Sequence, residues 1–290
     1  MKLIRVGAAA LNQTPMDWEG NLARIRAVIA EAKAKGVSVL CLPELCLTGY
    51  GCEDMFHAEF VHEAARQSLE ALLPDTRGII VSVGLPVFQD GAVFNSAALL
   101  CDGKLAGMVA KKFLAGDGIH YEPRWFKAWP AGVRDTLSFG KRKVPFGDMI
   151  FDCGGIELGF EICEEAWVSN RPGAALALKG VDVILNPSAS HFAFGKIETR
   201  KRFVTEGSRA FGVVYVYSNL LGNEAGRVIF DGGALIASGG KLAAQGPRLS
   251  YRDWELTVSD VAITLNRMNR ARASSYHPAL RSEDPGKIRV

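Results

Sequence analysis

The chain predicts an α/β fold in which two mixed sheets pack face to face with helices on both outer sides, a four-layer α-β-β-α sandwich. Three observations carry this expectation. The N-terminal part alternates buried-strand and amphipathic-helix patterns in the order β-α-β-α-β, the mark of layered α/β architecture. Farther on, pairs of short strands about Gly-containing turns interrupt the parallel winding. No G-x-G-x-x-G follows the first strand, so a dinucleotide-binding doubly wound sheet is set aside.

The elements follow in order. Leu3 to Ala10 is an apolar run suited to a buried strand, and Asn21 is placed to cap a helix with Leu22, Ile25, Val28, Ile29 and Ala32 on one face and Gly36 at its end. Val37 to Leu42 is a second buried strand, stopped by Pro43-Glu44. Met55 to Leu73 reads as a helix and Ile79 to Val87 as a strand. Ala92 to Cys101 and Leu105 to Ala110 pair about Asp102-Gly103, a strong hairpin signal. Residues 112 to 148, rich in Gly, Pro, aromatics and charges, read as a long functional loop with short structured pieces.

A second hairpin, Met149 to Cys153 and Ile156 to Phe160, turns at Gly154-Gly155. Pro172 to Leu178 is a short helix, Val181 to Leu185 a buried strand, Lys196 to Phe211 a long helix with a basic outer face, and Val213 to Ser218 a strand. Val228 to Ala237 pairs with Lys241 to Gln245, and Leu256 to Ile263 is the last clear strand. Residues 1–265 form one domain on this reading. The polar, basic stretch 266–290, with Pro285-Gly286 near its end, reads as an extended arm or linker.

Composition narrows the function classes. With 290 residues, 48% hydrophobic and 22% charged, the chain has material for a substantial core. The net charge of +3 is scattered and lacks an aromatic-interleaved basic stripe, which argues against nucleic acid. The N-terminus has no signal-peptide pattern and no apolar run approaches bilayer length, so a cytoplasmic protein without membrane contact is expected. Cysteines at 41, 46, 52, 101, 153 and 163 form no C-x-x-C pair, and no His pair has helical metal-ligand spacing, so neither a zinc site nor another metal is expected. Free thiols in such a chain suit a reducing compartment.

Reactive residue types stand at three strand ends. Glu44 follows Leu40-Cys41-Leu42-Pro43, Lys111 follows Met108-Val109-Ala110, and Cys163 follows Phe160-Glu161-Ile162. A thiol at a sharp strand-end turn, with backbone N–H groups nearby, has the geometry that a nucleophile needs. Each has a plainer reading alone: an inert packed cysteine, a solvated turn glutamate, an exposed strand-end lysine.

Taken together, Leu42-Pro43-Glu44-Leu45, Lys111 with Leu114 downstream, and Glu161-Ile162-Cys163-Glu164-Glu165-Ala166-Trp167 resemble the three signatures of the nitrilase (carbon–nitrogen hydrolase) superfamily. Further blocks resemble the glutaminase domain of glutamine-dependent NAD synthetases: Pro43 to Tyr50 with Glu53-Asp54, Arg124-Trp125-Phe126, Val144 to Gly147, Asn186 to His191, Phe230 to Ala234, and Ala244-Gln245-Gly246. The resemblance implies a Glu-Lys-Cys triad of Glu44, Lys111 and Cys163 with no cofactor. Glu122, eleven residues beyond Lys111, falls where the family has an acid that braces the lysine and the general base.

The residue types suit amide hydrolysis. Attack by sulfur splits cleavage of a poor electrophile into acylation and deacylation. Glu44 would move the protons, while Lys111 and the backbone N–H of Glu164 would stabilise the oxyanion, a donor typically worth about 3–4 kcal/mol. The family's glutamine contacts fall on Tyr50, Glu164, Ser190 and Lys196. Glu164 would take the α-ammonium, and Ser190 with Lys196 the α-carboxylate; Tyr50, Ser190 and Lys196 also have purely structural readings.

The resemblance therefore implies a glutaminase that passes ammonia to a synthetase domain or protein, within a homo-oligomer. A stand-alone amidase on another small amide or N-carbamoyl compound is the alternative. The chain departs from glutamine-dependent NAD synthetases in lacking an ATP-binding Ser-Gly-Gly-x-Asp-Ser loop, for which Ser238-Gly239-Gly240-Lys241 does not substitute. It is expected either to be an excised glutaminase domain or to stand free.

Overall fold

A computed structural model describes residues 2–224, 227–279 and 286–290. Among these, sixteen strands form one hydrogen-bonded network, but its two halves meet only where Leu3–Leu11 touches Val214–Glu224 through two residue pairs, Ala10 with Asn219 and Leu11 with Leu220. One half runs from Leu3–Leu11 through Val39–Cys41, Ile80–Gln89 and Ala92–Cys101 to Lys104–Ala110. The other runs from Val214–Glu224 through Val183–Ser188 and Ile156–Phe160 to Ile150–Cys153. Both mix parallel and antiparallel pairs.

Side-chain alternation turns these halves into layers. Successive strand residues point to opposite faces, so Val6, Ala8, Val39, Cys41 and Leu99 of one half meet Leu158, Phe160, Val183, Leu185, Val214 and Val216 of the other in a shared core. The intervening residues face outward. Leu40, Val81, Val83 and Leu100 are covered by Ile25, Val28 and Ile29 of helix Trp18–Ala34 and by Leu69 and Leu72 of helix Glu59–Leu72. Ile184, Tyr215 and Tyr217 are covered by Leu176, Ile197 and Val204 of helices Pro172–Leu178 and Lys196–Ala210. The result is the α-β-β-α sandwich, with strands apolar on both faces because both are buried.

Several local expectations change. Helix Trp18–Ala34 starts earlier than expected, with Asp17 accepting from the Gly20 N–H as its cap; Asn21 is buried and tied to Thr14 and Leu47 instead. The expected helix over 55–73 breaks at Ala58 into a short turn of helix, Glu53–His57, and the helix Glu59–Leu72. The strand expected over 228–237 splits into Val228–Asp231 and Leu235–Ser238, since Gly232 and Gly233 both have positive φ (66° and 75°). The loop 112–148 contains the helix Glu122–Trp125 and a hairpin of Arg134–Phe139 and Arg142–Gly147.

The stretch after 265 also differs from an extended arm. Ile263–Arg272 is a helix whose Asn266 pairs with Ser238 and whose Arg267 grips Asp182, and Lys287–Arg289 adds a parallel strand to Ile150–Cys153. Pro285 lies outside the described residues. The basic outer face of Lys196–Ala210 holds for Lys201 and Arg202 but not for Arg200, which is fully buried against Asp231 at 2.6 Å.

Candidate active site

Four chain segments leave the sandwich at the same edge. Val39–Cys41, Lys104–Ala110, Ile156–Phe160 and Val183–Ser188 all run in one direction, so Glu44, Lys111, Cys163 and Ala189 emerge together beyond their C-terminal ends. Ligands in open α/β sheets bind at that edge. Gly84 makes room for the first of these turns. A Cβ there would lie 2.3 Å from the Leu45 amide nitrogen, so only glycine lets the turn bearing Glu44 lie on the neighbouring strand.

Lys111 sits between two carboxylates. Its Nζ is 2.6 Å from Glu44 Oε1, and 2.7 and 2.8 Å from the two oxygens of Glu122, with all three side chains fully buried. Asn95 Nδ2 and the Ala189 N–H donate to Glu44 at 2.8 and 2.9 Å. The Tyr50 hydroxyl and the Ala115 N–H donate to Glu122 at 2.8 and 3.0 Å. Buried charges persist only when paired and hydrogen-bonded in this way. Burial alone would discharge the lysine, but Glu122 and Glu44 outweigh it and hold the ammonium above the ordinary lysine range.

Cys163 opens a single turn of 3-10 helix, Cys163–Ala166, and has φ +45°, a left-handed conformation that costs a non-glycine residue about 1–2 kcal/mol. Such strain collects at functional turns. Burial first, then the Glu44 charge, pushes the thiol above the ordinary cysteine range, while Lys111 opposes them. Glu44 is itself pushed up to about 7 by burial, against the pull of Lys111. Burial thus favours the neutral thiol over the thiolate at Cys163, within electrostatic reach of Glu44 and Lys111.

The four residues matched to glutamine contacts behave differently from one another. Tyr50 spends its hydroxyl proton on Glu122 and so belongs to the frame of Lys111. Glu164 is half-buried, within electrostatic reach of Lys111, Asp117 and Lys196, and burial raises its pKa. Lys196 Nζ lies over the Trp167 ring at 5.4 Å from its centroid and beside His191, and is pushed down to about 8, chiefly by burial and next by Arg200. Ser190 is buried, with its Oγ accepting from Arg200 Nε and Nη2 at 3.3 and 3.2 Å.

Sequence reasoning missed several supports. Asn95 interrupts an apolar strand, a signal that a polar side chain there has a partner. Glu165 accepts the backbone N–H groups of Ile162 and Lys112 at 2.7 and 2.6 Å. Arg200 pins the carbonyls of Ser190 and His191 at 2.8 Å each. Among the described residues, no group of three or more His, Cys, Asp or Glu side chains could hold a metal ion, and no helix is long and apolar enough to cross a membrane.

The family profile described as carbon–nitrogen hydrolase matches residues 5–273. The chain belongs to the carbon–nitrogen hydrolase family. Glutamine-dependent NAD(+) synthetases are similar to this hydrolase: that of Arabidopsis thaliana is 36% identical over 95% of the chain and 40% of its own length, and that of Saccharomyces cerevisiae 34% identical over 94% and 40%. A crystal structure of the Cytophaga hutchinsonii glutamine-dependent NAD(+) synthetase superposes with a TM-score of 0.84 at 46% identity, over 90% of this chain and 43% of that one. The chain thus spans about two-fifths of the length of these curated relatives. An amidase from Nesterenkonia sp. shares the fold, with a TM-score of 0.72 at 22% identity, over 92% of this chain and 94% of its own.

Proposed function

We propose that this carbon–nitrogen hydrolase cleaves the side-chain amide of L-glutamine through a Cys163 thioester and releases ammonia to a synthetase domain or protein. One observation carries the chemistry: a buried ammonium, Lys111, fixed at 2.6 Å from a carboxylate that is poised near neutrality. Glu44 takes the thiol proton as sulfur bonds to the amide carbon. The negative charge formed on the carbonyl oxygen is met by Lys111 and the Glu164 backbone N–H. As the C–N bond breaks, Glu44 returns the proton to the departing nitrogen, which leaves as ammonia. A water, deprotonated by Glu44, then attacks the thioester, yielding glutamate and the free thiol.

Glutamine as substrate is supported by charges at the mouth of the site. Glu164 suits an α-ammonium and Lys196 an α-carboxylate, and each lies within electrostatic reach of the other. The similarity to glutamine-dependent NAD(+) synthetases supports the same choice and suggests the ammonia acceptor. Cytoplasmic location and self-association are part of this proposal, the latter tested by sedimentation at micromolar concentration. Ammonia release from a panel of amides tests the function. Preference for glutamine is expected, and preference for an amide or N-carbamoyl compound without an α-amino acid head would favour a stand-alone amidase.

A further inference from the structure

Two imidazoles with no role in the reaction outlined above stand between Glu122 and Lys196. His120 Nδ1 lies 3.3 Å from the Tyr50 hydroxyl, and His120 Nε2 lies 3.0 Å from His191 Nδ1. Lys196 Nζ lies 3.1 and 3.4 Å from the two ring nitrogens of His191. His191 is anchored through its backbone, whose carbonyl accepts from Arg200 and which bridges to Phe230.

The direction of this chain follows from its Glu122 end. The Tyr50 oxygen is 2.8 Å from a Glu122 oxygen, a contact that is repulsive unless the phenol proton lies between them. With that proton committed, the Tyr50 oxygen can only accept, so His120 carries its proton on Nδ1. His120 Nε2 is then an acceptor and His191 donates from Nδ1, which also lies 3.1 Å from Lys196, so the lone pair that can accept from the Lys196 ammonium is that of Nε2 at 3.4 Å. From His191 through His120 and Tyr50 the donors point the same way, towards the carboxylate beside Lys111, and Lys196 meets this chain at the His191 ring.

We propose that His120 and His191 are positioning residues which hold Lys196 as the anchor for a substrate α-carboxylate and support the Tyr50 oxygen whose proton Glu122 accepts. The substrate class is an α-amino acid carrying a side-chain amide; this rests on the functional reading above insofar as Lys196 meets the carboxylate. The chain needs both imidazoles neutral. His120 is pushed down to about 4 by burial and next by His191, with Lys196 and Lys111 adding to this and Glu122 opposing. His191 is also pushed down to about 4, by burial, Lys196 and Arg200 against Asp231. The anchor therefore persists across neutral pH.

The test compares glutamine with butyramide, a primary amide without an α-carboxylate, in the parent and in His191→Leu, His191→Gln and His120→Leu. His191→Leu is expected to raise KM for glutamine by about ten- to a hundredfold, the scale of a hydrogen bond to a charged group. Its kcat and its KM for butyramide should stay near parental values, and His191→Gln should recover most of the loss. His120→Leu should lower kcat on both amides, because the Tyr50 oxygen loses the contact that supports it beside Glu122. The parental KM for glutamine should stay flat between about pH 5 and 7 while kcat falls with Glu44. Equal losses on both amides in His191→Leu, or no change in KM, would overturn the proposal. A parent that takes butyramide as readily as glutamine sinks the glutamine reading itself; a parent that prefers glutamine while His191→Leu keeps that preference sinks only this inference.

Discussion

The Glu165 carboxylate accepts the backbone N–H of Lys112 at 2.6 Å, which ties the residue after Lys111 to the turn that bears Cys163. Its other oxygen accepts the Ile162 N–H at 2.7 Å, just ahead of Cys163. One fully buried side chain thus sets the spacing between two segments more than fifty residues apart, with Lys112 Nζ at 3.6 Å balancing its charge.

Glu165→Gln replaces one acceptor with a donor facing a buried N–H. It should cost about 1–3 kcal/mol of stability and slow alkylation of Cys163 without altering the ordinary reactivity of the other thiols. Denaturant unfolding and the rate of iodoacetamide labelling at position 163 measure the two effects. Labelling at the parental rate would show that the Lys111–Cys163 spacing does not depend on this clamp.

The pH dependence follows from Glu44. Its pKa rises from 4.5 to about 7 on folding. An acid raised in this way adds stability that is fully present below 4.5 and is lost as pH rises through about 7. Activity runs the opposite way, since the base must be ionised: kcat/KM should fall about tenfold per pH unit below about 7. Asn95→Leu removes a donor that favours the carboxylate, so this acid limb should move to higher pH. A limb that stays in place would exclude Glu44 as the titrating group.

Lys111→Met leaves Glu44 and Glu122 facing each other in a buried space. Loss of the oxyanion donor should lower kcat by about a hundred- to a thousandfold. At pH 8 the unpaired carboxylates should destabilise the fold by about 3–5 kcal/mol. That deficit should shrink as pH falls, because the carboxyls take up protons. Thermal unfolding of parent and variant across pH 5 to 8 checks the sign.

Gly84→Ala pushes a methyl into the turn bearing Glu44. The strand can fold only if that turn shifts, so the expected outcome is near-complete loss of turnover, with Cys163 still open to alkylation. Retained activity would mean that the turn can move without carrying Glu44 away from Lys111.

The layers were legible in the sequence because strands buried on both faces leave continuous apolar runs, such as Val6 to Leu11 and Val213 to Tyr217, set between helices of clear periodicity. The candidate reactive side chains were legible because Glu44, Lys111 and Cys163 each follow an apolar run directly and their flanks resemble the signatures of carbon–nitrogen hydrolases. Their supports were not. Asn95 and Glu165 act through partners dozens of residues away, which local pattern does not encode. Arg200 looked like part of an exposed basic face because its run, Arg200-Lys201-Arg202, matches a solvated helix side, and only Asp231 explains why one member turns inward. Tyr50 matched a substrate contact by position, and position alone did not reveal that its hydroxyl donates to Glu122.

The short strand Lys287–Arg289 has a consequence for solubility. It occupies the otherwise open rim of Ile150–Cys153, the hairpin partner of the strand that leads to Cys163. Unpaired amides and carbonyls along a sheet margin are templates for intermolecular pairing. Removing those few residues should therefore favour aggregation through that margin before it harms catalysis.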